Sequence, residues 1–275
     1  MATRVTDELS RLAKWEETAL KDLAIDPNKG ADEDKQRDLL LKVNGRIYEF
    51  KETQNDFELQ LDVLKDAIAL LSKQGEKMEK ATQQMVEVDD SWAAVKKQAP
   101  IAKELGRNVQ EREAKKIQTN IQSFENDIKS YEFEFKQKQM FTFDTGVEQG
   151  YVDCIKAHKE LLEHDKKWDD LSGFAKIFEF PELMEPSKVI TTALHQQTSQ
   201  MLQMWHFVDM ITSQVDMWKT TLWNDLNCEE IEDGAKGLYK QLRGLDKFVK
   251  QSDVYLKTET NVKNFMSTMP LIAEL

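Results

Sequence analysis

Apolar residues recur along the first third of the chain at alternating steps of three and four. Every position of this stripe from Leu40 to Leu71 is apolar except Gln54, which we interpret as partly solvated rather than buried and hydrogen-bonded. Such spacing predicts a long helix that buries one face against partner helices. Two phenylalanines in the stripe are bulky for a parallel dimer, which favours an antiparallel bundle. The apolar members are Leu40, Val43, Ile47, Phe50, Phe57, Leu61, Leu64, Ile68 and Leu71.

The stripe changes phase near Gly75 and resumes from Met78, through Trp92, to Ala99. Two interpretations are open, a turn of the chain at Gly75 or a local irregularity within one helix. Pro100 marks a second possible boundary, because proline disfavours helical geometry in the residue before it.

Helical periodicity continues through the rest of the chain. The stretches are residues 6–25, 117–135, 147–178 and 187–222, with a last one that begins near residue 229 and carries its stripe to residue 249. Residues 140–146 interrupt the pattern with β-favouring side chains and a glycine, and form the clearest linker. The sequence therefore predicts an all-α fold, an elongated bundle of long antiparallel helices with coiled-coil-like packing. Core candidates in the 147–178 stretch are Tyr151, Ile155, Leu162, Trp168 and Leu171.

Composition supports long helices and narrows the function. The chain has only 10 Gly and 5 Pro in 275 residues, which are too few turn-forming residues for a many-stranded β fold. Its formal net charge of -12 argues against binding to nucleic acid and makes it a poor primary contact for an acidic polymer such as a microtubule. Cys154 and Cys228 lie far apart and are expected to be reduced thiols. No apolar run is long enough to span a membrane, so we expect a cytoplasmic protein without a membrane partner.

Motifs that carry chemistry are not found in this sequence. No phosphate-binding loop occurs, and Gly234 and Gly237 are better explained by close helix approach or local irregularity. His158 and His164 are six residues apart, which does not place two imidazoles on one helical face as a zinc helix requires. The methionines around Trp205 and Trp218 lie at helical spacing and are expected in the core rather than in a recognition groove. We expect no catalytic residue, no cofactor and no metal.

The end of the chain carries a more specific pattern. Trp218 and Trp223 are followed by an acidic turn, a helix that begins near Ile231, and the closing segment VKNFMSTMPLIAEL at residues 262–275. This order resembles the linker-proximal region of dynein heavy chains, particularly the axonemal kind. Trp92 with the residues after it, and the segment 173–183, are also similar to that region. The resemblance covers residues 90–275, and residues 1–89 are compatible with tail-side helices.

The resemblance implies a mechanical function. In that family this region joins the tail to the linker, a helical lever that moves over the AAA+ ring, and the ring and its nucleotide sites lie C-terminal to it. The expected partners are the rest of the same heavy chain, dynein intermediate or light chains, and neighbouring heavy chains, in the axoneme of a cilium or flagellum. A hinge is expected at residues 141–150. The residues expected to form structural junctions are Trp92, Trp218, Trp223 and Ile231, and, at a second corner, Val262, Phe265, Met269 and Leu271.

Two other function classes compete with this interpretation. A spectrin-like or coiled-coil cytoskeletal scaffold is the alternative, but it would be favoured by regular repeats of about 100 residues, and none is seen. A di-iron enzyme in a helical bundle needs paired Glu-x-x-His motifs, and no histidine here has a glutamate three residues before it.

Overall fold

The computed structural model describes residues 2–222, 225 and 227–273. These residues form eight α helices and no β strand, which confirms the predicted all-α class. The elongated shape and the coiled-coil-like packing remain predictions. The helices are α1 (Ala2–Leu23), α2 (Glu33–Lys73), α3 (Glu79–Leu105), α4 (Arg107–Phe135), α5 (Val147–Ile177), α6 (Glu185–Thr220), α7 (Cys228–Arg243) and α8 (Asp253–Ala273). Short 3-10 turns lie at Pro27–Lys29, Gln139–Phe141, Phe143–Thr145, Pro181–Met184 and Val249–Gln251.

Local chemistry explains both ends of α2. The Asp32 side chain accepts a hydrogen bond from the Lys35 N–H at 2.8 Å, which caps the first turn. Gly75 has a φ of 88°, a left-handed conformation that suits glycine and reverses the chain before α3. Of the two interpretations of the phase change, the turn is therefore correct.

Contacts divide the chain into two compact units, residues 1–120 with 171–183, and residues 121–170 with 184–275. In the first unit, Arg46 of α2 pairs with Asp22 near the end of α1 at 2.8 Å. Arg11, earlier in α1, donates to Gln60, later in α2, at 3.0 Å. The later residue of α1 contacts the earlier residue of α2, and the earlier residue of α1 contacts the later one. The two helices therefore run antiparallel.

The predicted stripes form the core of the first unit. All nine apolar members of the α2 stripe are buried, and so are the members of the second stripe from Met78 to Ala99. At the centre, Trp92 is 3% exposed and stacks on Phe57, with ring centroids 4.0 Å apart. Gln54 is half-buried and bonds only to its neighbour Glu58 at 3.4 Å, as expected for a partly solvated position.

Glu16 is an exception to the apolar core of the first unit. Its side chain is 1% exposed, and neither carboxylate oxygen has a hydrogen-bond partner among the described residues. Burial, with a smaller contribution from Asp89, raises the pKa of Glu16 to about 8. The carboxyl group is therefore largely protonated at neutral pH in the folded protein.

Glu179 attaches the segment 171–183 to the same unit. Its carboxylate pairs with Lys51 of α2 and, at 2.6 Å, with Lys103 of α3, and these two lysines lower its pKa. Glu179 has a φ of 66°, a left-handed conformation that is unfavourable for a residue with a Cβ. The ion pairs thus hold a strained backbone position in place.

The second unit is organised around Trp205. This side chain is fully buried and donates a hydrogen bond to the Met140 carbonyl at 2.8 Å. A Cβ at Gly150 would lie 2.3 Å from the Trp205 ring, so only glycine permits this packing. The core of this unit comprises Phe135, Met140, Cys154, Ala157, Leu161, Leu194, Met201, Met204, Trp205, Val208, Leu242, Val249, Val254 and Tyr255.

Close packing also explains where sequence expectations for this unit were wrong. Ile155 and Leu162 of α5 are 49% and 44% exposed, because the smaller residues Cys154 and Ala157 face the core instead. The buried face of α5 in this unit consists of Cys154, Ala157 and Leu161, so two of its three members are small.

Two predicted boundaries differ from the structure. α3 continues through Pro100, which is exposed, while the buried residues Ala99 and Ala102 on either side keep the helix packed. α7 ends at Arg243, and Val249 lies in a separate 3-10 turn rather than in the same helix. Val249 is nevertheless buried, as the apolar stripe indicated.

Candidate functional site

The predicted junction residues fall in both units. Trp92 belongs to the core of the first unit, and six others lie on α6, α7 and α8 in the second. Trp223 lies outside the described residues. The candidate site is the part of the second unit formed by the end of α6, by α7 and by α8.

The sequence of α7 provides favourable capping and charges at both ends of the helix. The Asn227 side chain accepts from the Glu230 N–H at 3.3 Å, and acidic residues occupy the first turn while basic residues occupy the last. Tyr239 donates to Glu259 of α8 at 3.3 Å, and the Lys263 ammonium lies 5.6 Å from the Tyr239 ring centroid. The Glu259 carboxylate, which pairs with Lys263, raises the pKa of that lysine.

Trp218 of α6 and Phe265 of α8 meet face to face. Their ring centroids are 5.4 Å apart and their planes are 11° apart, which is a stacked geometry. These two residues were predicted to lie at different corners, but they are in contact because α8 packs against the end of α6. A Cβ at Gly234 of α7 would lie 2.9 Å from Trp218 Cζ2, so glycine allows the indole to lie against α7. Close helix approach was one of the two explanations offered for this glycine.

Two cavities flank the indole of Trp218. The first, of about 420 Å³, lies among α6, α7 and α8 and is lined mainly by apolar side chains, including Val208, Val262 and Phe265. The second, of about 440 Å³, is lined by Ile231 and Gly234 together with polar groups. Trp218 and Leu238 line both cavities. The indole thus separates an apolar cavity from a more polar one.

The remaining junction residues differ in their burial. Ile231, Val262 and Met269 are buried, at 6%, 4% and 3% exposure, and contribute to the packing of this region. Leu271 is 63% exposed. The methionines expected in the core divide in the same way, since Met201 and Met204 are fully buried while Met210 and Met217 are exposed.

The predicted hinge at residues 141–150 makes several contacts within the second unit. The Phe143 N–H donates to the Asp253 carboxylate at 2.9 Å, and Asp144 pairs with Lys257 at 2.9 Å. The bond from Phe143 and the nearby Lys257 lower the pKa of Asp253. Gly146 has a φ of 80°, which suits glycine just before α5 begins. Nothing in the sequence pattern singled out Asp253 or Tyr239, because each acts through a partner distant in sequence.

The described residues offer few groups with the chemistry of a metal or catalytic site. No cluster of three or more His, Cys, Asp or Glu side chains that could hold a metal is found there. His195 Nε2 lies 2.8 Å from a carboxylate oxygen of Asp165. Burial raises the pKa of Cys154 to about 12, which makes its thiol unreactive. None of the helices in the described ranges is long and apolar enough to cross a membrane.

This region is similar to proteins of one known family. Residues 191–275 match the family model described as dynein heavy chain, N-terminal region 2. The dynein alpha chain of the flagellar outer arm of Chlamydomonas reinhardtii is 29% identical over 240 residues, which cover 86% of this chain and 5% of that protein. Over most of its length the chain is similar to axonemal dynein heavy chains. Dynein axonemal heavy chain 17 of Homo sapiens is 27% identical over 276 residues, covering 100% of this chain and 6% of that protein. The ciliary dynein beta chain of Tripneustes gratilla is 26% identical over 86% of this chain and 5% of that protein.

The family match includes most of the predicted junction residues. The chain spans only 5–6% of the length of these heavy chains. The family model nonetheless covers nearly all of α6 and the whole of α7 and α8, where Trp218, Gly234 and Phe265 lie. The relatives found along most of the chain are dynein heavy chains, so an unrelated spectrin-like scaffold is not favoured.

Proposed function

We propose that this chain is a non-catalytic, mechanical segment of an axonemal dynein heavy chain that joins the tail to the linker. The observation that carries the proposal is that residues 191–275, which match the dynein N-terminal region, include the packed end of α6 with α7 and α8. In this role the segment passes force between the tail and a linker that moves over the AAA+ ring during ATP-driven motility.

Packing in the second unit is suited to this role. Protein interiors are close-packed and deform little, so contacts between buried side chains transmit displacement. Ile231, Val262 and Met269 supply such contacts, and the stacked pair Trp218 and Phe265 joins α6 to α8. The predicted hinge contributes through Asp253, which accepts from the Phe143 N–H.

The names of the relatives support a setting in cilia or flagella. Their names place them in the flagellar outer arm, in axonemes and in cilia. We propose that this segment acts in the axoneme of a cilium or flagellum as part of a dynein complex. Its partners would be the rest of its own heavy chain, with dynein intermediate or light chains or a neighbouring heavy chain beside it.

ATP turnover tests the absence of catalysis. The purified 275-residue chain should be strongly helical by circular dichroism and should hydrolyse no ATP above background. The complete heavy chain that contains it, assayed with microtubules, is the positive control. ATP turnover by the purified chain that survives removal of contaminating ATPases would overturn the proposal.

A further inference from the structure

A second stripe runs along α2 on the side away from the buried one. Leu59, Val63 and Leu70 are 64%, 58% and 57% exposed, although each is a large apolar side chain. They are four and seven residues apart, so a helix with 3.6 residues per turn places them on one face. From Leu59 to Leu70 the stripe is about 16 Å long, three turns of helix. We call this surface, with its flanking carboxylates, the outer stripe of α2.

The outer stripe continues a face that is already covered nearer the start of α2. Leu41 and Tyr48 lie on the same side of the helix and are half-buried. Tyr48 lines a small cavity together with Ile177 and Glu179 of the segment 171–183. That cover ends at the ion pair between Lys51 and Glu179. The uncovered part of the stripe is therefore the extension of an existing packing interface.

Between Glu52 and Leu70 the charges on this face have one sign. Glu52, Asp56 and Asp66 occupy the positions that alternate with the apolar ones at steps of three and four, and all three are exposed. In the described part of the chain none of the three forms an ion pair. The nearby Lys65 is directed to the other side, where it pairs with Asp89 of α3 at 3.0 Å. The outer stripe of α2 therefore presents apolar side chains and three unpaired carboxylates to solvent.

This charge pattern indicates which kind of partner fits the outer stripe of α2. A second copy of the chain would bring its own carboxylates against these, and like charges that face each other are repelled. An anionic membrane surface or a nucleic acid is disfavoured for the same reason. An amphipathic helix with leucine-like residues on its contact face and Lys or Arg beside them matches both the apolar and the acidic positions.

We propose that the outer stripe of α2 is a docking surface for a basic amphipathic helix of a partner protein. The partner's apolar face covers Leu59, Val63 and Leu70. Its Lys or Arg side chains pair with Glu52, Asp56 and Asp66 at the edges and between the apolar contacts. The proposal depends only on the first unit and does not require the mechanical function proposed above.

Binding of designed peptides to the full chain tests this surface. The probe is a fluorescent synthetic helix of about 21 residues, long enough to be helical when bound, with Leu at the contact positions and Lys at the flanks. A matched peptide carries Glu in place of Lys. Fluorescence anisotropy is measured with the parent chain and with the triple variant Leu59→Gln, Val63→Gln, Leu70→Gln. The double variant Asp56→Lys, Asp66→Lys reverses the charge.

A control variant, Val86→Gln with Leu105→Gln, removes exposed apolar groups from α3 instead. All substituted positions are exposed, so circular dichroism and the unfolding midpoint should stay unchanged.

We expect the Lys peptide to bind the parent and the control equally, and to bind the triple variant at least about tenfold more weakly. The charge-reversed variant should prefer the Glu peptide. Equal binding of both peptides to the parent chain would overturn the proposal, as would unchanged binding to the triple variant. A parent chain that sediments as a dimer, and becomes a monomer in the triple variant, would overturn it in favour of self-association.

Discussion

Trp218 of α6 stacks on Phe265 of α8, with ring centroids 5.4 Å apart and planes 11° apart. Both rings are half-buried. Each substitution to Ala should lower the free energy of unfolding by about 1–3 kcal/mol, less than for a fully buried aromatic residue. The control Phe133→Ala, at a position that is 68% exposed, should change it by less than about 0.5 kcal/mol.

A double-mutant cycle isolates the contact itself. Stacked aromatic pairs are stabilised by about 0.5–1.5 kcal/mol beyond the area that they bury. Urea unfolding of both single variants and the double variant should therefore give a coupling energy of that size. Strictly additive effects would show that the two rings do not stabilise each other.

Substitution of Gly234 tests whether Trp218 packs closely against α7. Gly234→Ala places a Cβ 2.9 Å from Trp218 Cζ2, so the indole must move and lose part of its stack on Phe265. We expect a loss of about 1–3 kcal/mol in the free energy of unfolding. The matched control is Gly237→Ala in the same helix, where the new methyl group meets open space and should stabilise the helix by about 0.5–1 kcal/mol.

The two glycine variants should therefore shift the urea midpoint in opposite directions. In the background Trp218→Ala, Gly234→Ala should also become stabilising, because its obstacle is gone. If Gly234→Ala behaves like Gly237→Ala in the parent chain, the close approach of Trp218 to α7 is wrong.

The fold was largely predictable from sequence, because its strongest signal is local. The α2 stripe from Leu40 to Leu71 repeats often enough to fix both the helix and its buried face, and every apolar member is buried. The same reasoning was wrong for α5. There the buried face consists of Cys154, Ala157 and Leu161, and the small side chains of the first two carry little hydrophobic signal of their own.

The site was predictable only as a set of residues. Trp218 and Phe265 were both expected to be structural, yet their direct contact depends on the path of the chain between α6 and α8, which periodicity does not specify. Asp253 was missed because it acts on the Phe143 N–H, far away in sequence.

Glu16 gives the first unit a distinct pH dependence. Its pKa is raised to about 8 in the folded protein, from 4.5 in an ordinary environment, because burial disfavours the charged form. The folded protein therefore retains a proton that the unfolded chain releases above pH 4.5. The stabilising contribution is complete below that pH, decreases as the pH rises, and is lost at about pH 8.

Glu16→Gln should remove this pH dependence. One pKa unit corresponds to roughly 1.4 kcal/mol, so the variant should recover a few kcal/mol of unfolding free energy at high pH. The control Glu17→Gln alters the exposed neighbouring carboxylate and should leave the slope unchanged. Urea unfolding across this pH range checks both variants, and a slope that persists in Glu16→Gln would assign the effect to other groups.

Glu179 combines two effects that substitutions can separate. Glu179→Ala loses the pairs with Lys51 and Lys103 and retains the strained φ, whereas Glu179→Gly loses the same pairs and relieves the strain. We expect the glycine variant to be more stable than the alanine variant by about 1–2 kcal/mol. Thermal unfolding compares them directly. Equal stability of the two variants would mean that the left-handed conformation carries no cost at this position.

The most direct test of the mechanical role measures motility and ATP turnover in the same preparation of the complete heavy chain. The double variant Trp218→Ala, Phe265→Ala is compared with Phe133→Ala, below the unfolding temperature of each. The account predicts that microtubule-stimulated ATP turnover is unchanged in both, while microtubule gliding velocity falls only in the junction variant. Unchanged velocity, or a loss of velocity matched by an equal loss of ATP turnover, would contradict a role in transmitting force.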